Sequence, residues 1–296
     1  MSSPTPSVLT MADILIATRE SALALAQANE VSAKLVSAHP GLEIDLVEVA
    51  TSGDRDRVTS VATLTEVGAF VRAVQTAVLD GTADLAVHSC KDLPVEGPPG
   101  LTATYPERAQ PWDVLCGHDL VSLPTGARVG TGSPRRTAQL RALRPDVAID
   151  DIRGNVDTRL DKVASGEYDA VVLAEAGLSR LGRGREIGHR FDLHEMVPAP
   201  AQAALAVEAR VDDPMLGLLA GIDHRPTRMA VETERALLAH TRAGCRSALG
   251  AYATVGADAS IRVVGFVEDD EGPRYAEAEG ADPDRAARNL QIALGL

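Results

Sequence analysis

Apolar residues follow two rhythms along this chain, and their alternation sets out its elements. Asp13 to Thr18 is a continuous apolar run of the kind that forms a buried strand. Ala22 to Leu35 then repeats its apolar positions at helical spacing, with Ser21 placed to cap the helix. Leu42 to Ala50 alternates like a half-exposed strand. Gly68 to Leu79 carries Phe70, Val71, Val74 and Val78 on one helical face, and Leu85 to Val87 reads as a short buried strand. This succession predicts a helix-covered, mostly parallel sheet. Thr51 to Thr65 is polar and without period, long enough for a lid-like loop.

Pro94 to Pro111 is rich in Pro and Gly and includes a short strand, Leu101 to Tyr105. A hinge near 106–113 marks the end of the first unit. A second α/β set follows. Arg128 to Gly130, Val147 to Ile152 and Asp169 to Ala174 read as strands, Glu175 to Leu181 as a helix, and Gly182 to Gly188 as a polar connection. Pro198-Ala199-Pro200 is a second hinge, and Ala203 to Val211 reads as a strand returning to the first sheet. A helix over Thr227 to His240 leads to three antiparallel strands, Ala251 to Val255, Ile261 to Val267 and Arg274 to Ala278. A final helix starts near Pro283. The expected organisation is a lead-in at 1–12, domain 1 at 13–110 with 204–222, domain 2 at 111–203, and a small α+β domain 3 at 223–296. Two lobes joined by two crossings make a cleft that can open and close.

Charge changes this picture more than composition does. The 296 residues carry 29 basic and 42 acidic side chains, a net charge of −13, which argues against nucleic acid or an anionic membrane as partner. Yet residues 128–160 hold seven Arg against four Asp, a local excess of three positive charges. Aromatics make up only 3% of the chain, so Ala, Val, Leu and Ile must build the core. No apolar run approaches the roughly 18 residues of a spanning helix. Residues 1–12 are polar and small, lack the pattern of a signal peptide, and read as disordered. The three cysteines, Cys90, Cys116 and Cys245, are widely spaced with no C-x-x-C, and the histidines are scattered. A reducing cytoplasm is expected, with no disulfide framework and no metal.

The candidate chemistry lies where strands end. Lys91 and Asp92 follow the strand at 85–87, at the sheet edge where open α/β folds bind ligands. A carboxylate beside a cation there suits chemistry on a charged intermediate. Arg19 stands at the first strand-to-helix junction, where helix amides can also meet an anion; an ordinary Ser21 cap with a solvated Arg is the alternative. Gly130-Thr-Gly132 lets backbone approach a ligand closely, and Ser133 and Pro134 suit the cap and first position of a helix. Arg135 and Arg136 fall in that helix's first turn, the wrong end for a cation unless an anion sits there. Arg153 and Arg159 repeat the arrangement after the next strand. A solvated basic face is the ordinary alternative to an anion pocket. Cys245 follows Gly244 between Arg242 and Arg246, cations that would favour thiolate; a small buried hydrophobe is the plainer reading. Cys90 and Cys116 look structural, His88 reads as a scaffold histidine, and Asp84 as a strand-opening residue.

The ordered motifs Ile16-Ala-Thr-Arg-Glu-Ser21, Ala86-Val-His-Ser-Cys-Lys-Asp-Leu-Pro94, Gly130-Thr-Gly-Ser-Pro-Arg-Arg136, Ile152-Arg-Gly-Asn-Val156 and Gly244-Cys245 resemble the porphobilinogen deaminase (hydroxymethylbilane synthase) family over about residues 13 to 290. The resemblance implies two periplasmic-binding-protein-like lobes with mostly parallel mixed sheets and a small cofactor-bearing α+β domain. It implies a transferase of tetrapyrrole (haem, chlorophyll, corrin) biosynthesis, condensing four porphobilinogen molecules with loss of ammonia into linear hydroxymethylbilane. The chain would grow on a dipyrromethane cofactor joined by a thioether to Cys245. Asp92 would be the catalytic carboxylate, stabilising positive charge on pyrrole. Arg19, Ser21, Lys91, Arg135, Arg136, Arg153, Arg159 and Arg180 would bind cofactor and substrate. A cytoplasmic monomer, handing its product to uroporphyrinogen-III synthase, would follow. Arginine forks suit a chain whose acetates and propionates accumulate.

Three motifs depart from the family pattern. Thr65-Glu66-Val67-Gly68 replaces Gly-Gly-Lys-Gly, Ala201-Gln202-Ala203 replaces Gly-Gln-Gly, and Arg246-Ser247-Ala248 replaces a small, proline-containing run. Two other function classes remain. A solute-binding module would share the cleft but form no covalent adduct. A cysteine hydrolase would need a histidine to activate Cys245; His240 is near in sequence, with no evident acidic partner.

Overall fold

The computed structural model describes residues 13–49, 67–241 and 248–296. The lead-in at 1–12, the loop at 51–65 and the segment holding Cys245 lie outside the described residues. In chain order the first elements are β1 (Ile14–Arg19), α1 (Ala22–Ala38), β2 (Ile44–Val49), α2 (Val67–Leu79), β3 (Leu85–Ser89) and β4 (Leu101–Thr104). Next come β5 (Asp113–Cys116), β6 (Arg128–Gly130), α3 (Pro134–Leu143), β7 (Ala148–Asp150), α4 (Val156–Ala164), β8 (Ala170–Ala174), α5 (Glu175–Arg180) and β9 (Ile187–Arg190). The chain closes with β10 (Leu205–Arg210), α6 (Met215–Leu219), α7 (Arg225–Thr241), β11 (Ala248–Val255), β12 (Ile261–Asp269), β13 (Gly272–Gly280) and α8 (Pro283–Ala293).

Two five-stranded sheets repeat one plan. The first runs β2-β1-β3-β10-β4 and the second β7-β6-β8-β5-β9. Within each, the first three strands are mutually parallel. One reversed strand, β10 or β5, pairs antiparallel with both neighbours, so the outermost strand again points with the majority. A third sheet, β11-β12-β13, is an antiparallel meander covered by α7 and α8. The expected α/β architecture of two mixed-sheet lobes with a small α+β unit is therefore present. Among the described residues no helix is long and apolar enough to cross a membrane.

The sequence accounts for these elements locally. β8 is Ala-Val-Val-Leu-Ala, with its first four residues buried, as expected between helices on both faces. Ser21 Oγ accepts from Ala24 N at 3.3 Å to cap α1. Ser133 Oγ accepts from Arg136 N at 3.4 Å to cap α3, with Pro134 in the first turn. The cores are separate: Ile14, Ile16, Leu35, Leu85 and Val207 fill the first lobe, Leu115, Val129, Leu140 and Phe191 the second, and Leu249, Val263 and Leu290 the third unit.

Two strands were not visible in the sequence. β5 is only four residues, fully buried, and begins straight after Pro111-Trp112. β9 is a half-exposed edge strand that begins in the stretch read as a polar connection and runs two residues past it. Neither is long enough to establish a period.

The three units meet around the two crossings. Glu234 of α7 is completely buried and takes Arg108 Nη1 at 2.7 Å and Nη2 at 3.1 Å. The same carboxylate accepts from Ala201 N at 2.5 Å and from Ala253 N at 2.8 Å. Gly250 of β11 lies so close to the second crossing that a Cβ there would sit 2.8 Å from Val197 O.

Candidate functional site

β1 and β3 are adjacent and parallel, so their carboxyl ends share one edge of the first sheet. Arg19 ends β1 and is half-buried, and Ser21 serves as the cap of α1. β3 runs into a single 3-10 turn, Cys90–Asp92, which presents Asp92 to solvent while Lys91 is half-buried. The turn is held from several directions. Cys90 N donates to Ala204 O at 3.0 Å, Gln27 Nε2 of α1 donates to Ser89 Oγ at 2.7 Å, and Arg235 Nη2 of α7 donates to Pro94 O at 2.6 Å. Asp92 thus sits on a rigid support at an open edge.

The neighbouring residues behave as scaffold. Asp84 Oδ2 accepts from Leu15 N at 2.8 Å. His88 Nε2 lies 3.2 Å from Glu208 Oε2, an acid that also accepts from Gln75 Nε2 at 2.9 and 3.1 Å. Cys90 and Cys116 are free and buried, and burial above all pushes each thiol up to about 12, far from a reactive thiolate.

In the second lobe, Arg135 and Arg136 open α3 and are 3% and 7% exposed. The anion that their position at a helix start calls for is part of the chain. Asp113, the first residue of β5 and fully buried, takes Arg135 Nη1 on Oδ2 at 2.7 Å. On Oδ1 it takes Arg136 Nε at 2.9 Å and Nη2 at 2.7 Å. Arg135 Nη1 also donates to Val197 O at 2.7 Å, and Arg136 Nη1 to Val172 O at 2.8 Å. Burial alone would raise the Asp113 pKa, but the two guanidinium groups hold it well below the usual carboxylate range. Nothing in the sequence pointed to Asp113 itself; the misplaced cations were the only trace of it.

Gln202 links the two lobes. Its Nε2 donates to Pro111 O at 2.7 Å and to Asp113 Oδ1 at 3.1 Å, and its Oε1 accepts from Lys91 Nζ at 3.3 Å. Burial lowers the Lys91 pKa to about 8; Asp92 and Asp113 oppose that shift, and Arg136 and Arg135 add to it. Ala201 and Ala203, on either side of Gln202, have φ of 60° and 70°. The alanines that replace glycine at this hinge therefore keep a left-handed backbone.

The remaining arginines divide into two kinds. Arg159 is half-buried, and its Nε donates to Gly154 O at 2.8 Å. Among the described residues no carboxylate lies within ion-pair distance of it. Burial, with Arg136 and Arg153 nearby, lowers it to about 10. Arg153 pairs with Asp151 through Nε at 2.9 Å and Nη2 at 2.7 Å. Arg180 instead bridges the lobes: its Nε donates to Glu30 Oε2 of α1 at 2.8 Å and its Nη2 to Ala203 O at 3.2 Å. Cys245 lies outside the described residues; Ala248 at the start of β11 packs in one cluster with Ala138 of α3 and Val197. His240 does have an acidic partner, contrary to expectation: Asp284 Oδ1 is 2.9 Å from its Nε2. The pair joins α7 to α8 across a long gap in sequence, which is why reading along the chain missed it. Among the described residues no cluster of His, Cys, Asp and Glu could hold a metal.

Residues 14–217 match the family described as porphobilinogen deaminase, dipyromethane cofactor binding domain. A porphobilinogen deaminase of Brevibacillus brevis is 41% identical over 95% of this chain and 93% of its own length. One of Thermobifida fusca is 46% identical over 89% of this chain and 84% of its own. The Bordetella pertussis BvgS periplasmic VFT2 domain aligns with 70% of this chain and 85% of its own, at 17% identity and a TM-score of 0.41, too distant to bear on function.

Proposed function

The chain belongs to the porphobilinogen deaminase family, whose members join four porphobilinogen molecules with loss of ammonia into hydroxymethylbilane, and we propose that Asp92 is its catalytic carboxylate and Cys245 its cofactor attachment point. Arg19, Ser21, Lys91, Arg135, Arg136, Arg153, Arg159 and Arg180 bind the carboxylates of cofactor and substrate. The observation that carries this reading is a surplus of cations beside an exposed acid. Lys91, Arg135, Arg136, Arg153 and Arg159 are crowded enough for burial and mutual repulsion to depress Lys91 and Arg159. Among the described residues they are offered only Asp92, Asp113 and Asp151. A polyanionic ligand relieves that crowding, and each charge-assisted bond contributes ~1.5–3 kcal/mol.

The residues present fit a dipyrromethane. Arg159 is a half-buried guanidinium without a carboxylate partner among the described residues, the feature an anionic group would complete. Ala248, three residues beyond Cys245 in sequence, packs beside the arginine helix. When bound, the dipyrromethane supplies the free pyrrole carbon to which the first substrate is joined. Asp92 accepts hydrogen bonds from pyrrole N–H groups. It stabilises the positive charge that develops as the substrate's C–N bond breaks and ammonia leaves. Its carboxylate can also take up the proton lost from the ring carbon after the new C–C bond forms. Lys91 and the arginines fix the carboxylates so that the reacting carbons meet.

The same reading makes domain 1 residues 13–110 with 204–222, domain 2 residues 111–203 and domain 3 residues 223–296, supported by β10 lying between β3 and β4. It makes the protein a cytoplasmic monomer handing its linear product to uroporphyrinogen-III synthase. The free thiols of Cys90 and Cys116 support the compartment. The scatter of exposed apolar side chains such as Val121, Val211 and Ile292 over different elements supports the monomer.

Intact-mass measurement tests the attachment. Protein from a porphobilinogen-producing host should exceed its sequence mass by two linked pyrrole units, and Cys245→Ser should not; an unmodified wild-type mass overturns the reading. Asp92→Asn should lower turnover ~10²–10³-fold. Near-normal turnover would remove Asp92 from its role.

A further inference from the structure

Asp113 and Gln202 touch every part of the cation cluster except Arg153 and Arg159, yet neither lies at the open edge where Asp92 stands. A continuous path runs from Lys91 Nζ to Gln202 Oε1 at 3.3 Å, from Gln202 Nε2 to Asp113 Oδ1 at 3.1 Å, and from Asp113 to Arg135 and Arg136. It begins in the catalytic turn of the first lobe, passes through the second crossing and ends in the arginine helix of the second lobe.

Gln202 is 0% exposed and its backbone is also engaged. Its N–H donates to Ala199 O at 3.0 Å, and its carbonyl accepts from Arg108 Nε at 2.7 Å. The side-chain amide is thereby fixed in direction, its oxygen toward Lys91 and its nitrogen toward Asp113. A fully buried, charged carboxylate persists only where cations and donors satisfy it, and here two guanidinium groups and one amide do so. The converse also holds. Adjacent arginines in the first turn of a helix repel one another, and Asp113 is what keeps both forks still. Arg135 spends Nη1 on Asp113 and Val197, leaving Nε and Nη2 outside those bonds.

We propose that Asp113 and Gln202 are positioning residues of the anion site, with Asp113 orienting Arg135 and Arg136 and Gln202 transmitting that arrangement across the hinge to Lys91. The proposal rests on the reading of Lys91 and the arginines as the carboxylate-binding groups. It assigns the relay the task of holding donors of the two lobes in one register while the ligand changes in length. Among the described residues, the charged groups facing Lys91 are Asp92 from its own turn, Arg135 and Arg136 from α3, and Asp113 from β5.

Two substitutions and their combination test it first, each checked for folding by circular dichroism and thermal unfolding. Asp113→Asn keeps the shape and removes the charge; Gln202→Met keeps the volume and removes the amide's three contacts, to Lys91, Asp113 and Pro111. The first readout is independent of turnover: the pH midpoint of Lys91 reductive methylation, followed on its peptide by mass spectrometry. Wild type should titrate near 8, and Asp113→Asn should titrate at lower pH, because a neighbouring anion that favoured the protonated amine is gone. The second is steady-state kinetics on protein carrying the full cofactor mass. Both variants should lose up to roughly 10²-fold in kcat/KM. The double variant should lose little more than either single one, since they interrupt one path.

An unchanged Lys91 midpoint with unchanged kcat/KM in Asp113→Asn overturns the relay, as do strictly additive losses. Should neither single variant fold, Asp113→Glu retains the charge and moves it by one methylene. Lowered kcat at wild-type thermal stability supports the relay, and wild-type kcat overturns it. Lys91→Gln separates this proposal from the reading beneath it. Wild-type kinetics in Lys91→Gln defeats the anion-site reading. An inactive Lys91→Gln beside a normal Asp113→Asn defeats only the relay.

Discussion

Lys91 shows how one residue's surroundings set a measurable pH dependence. Burial lowers its pKa to about 8 from an ordinary 10.5, with Asp92 as the main opposing influence. As pH rises through about 8 the amine loses its charge, so the KM for porphobilinogen should rise on the alkaline side; Lys91→Arg should abolish that limb. Stability should move the other way. Between about 8 and 10.5 the unfolded chain binds the proton more readily than the folded one, so this group's contribution to stability increases with pH. Urea titrations across that window check the sign. Arg159→Ala should raise KM roughly tenfold or more, since its guanidinium has no carboxylate of its own among the described residues. Lys91-Asp92 was legible because a strand ends there in polar residues. Asp113 was not, because one acid after Pro111-Trp112 looks the same in sequence whether it faces water or two guanidinium groups. Arg180 was named only through the family resemblance, and its bond to Glu30 depends on how two lobes meet, which no local pattern encodes.

At the scale of elements, caps and periodicity carried far. Ser21 and Ser133 were expected to begin helices and do, since an N-cap depends on a side chain only three residues from the amide it satisfies. β5 and β9 escaped because four-residue strands borrow their stability from pairing partners distant in sequence. The hinge alanines were legible as departures from glycine, but whether the backbone had adapted was not. Their positive φ shows that it had not, and a non-glycine residue in that region costs ~1–2 kcal/mol. Ala203→Gly should therefore leave stability unchanged or raise it by up to ~1 kcal/mol despite glycine's greater freedom when unfolded. A fall of more than ~1 kcal/mol in urea unfolding would contradict that account.

At the scale of the whole molecule, Glu234 joins three units through one carboxylate: Arg108 from the first crossing, Ala201 from the second and Ala253 from β11. Removing one partner of a buried pair leaves the other charged and unsatisfied. Glu234→Ala should cost ~3–5 kcal/mol, read as a lowered urea midpoint, with Arg108 left as the orphan. The paired lobes also constrain how the chain matures. All five strands of the second sheet come from residues 113–190, so that lobe can close as soon as it is synthesised. The first sheet cannot: β10, wedged between β3 and β4, is supplied only by residues 205–210. On the ribosome β3 and β4 must therefore wait, unjoined, while the whole second lobe is made. This inverts the usual order in which the amino-terminal unit finishes first. Until β10 arrives, two open strand edges are left for chaperones to shield, and the turn that carries Asp92 at the end of β3 takes its final form only then.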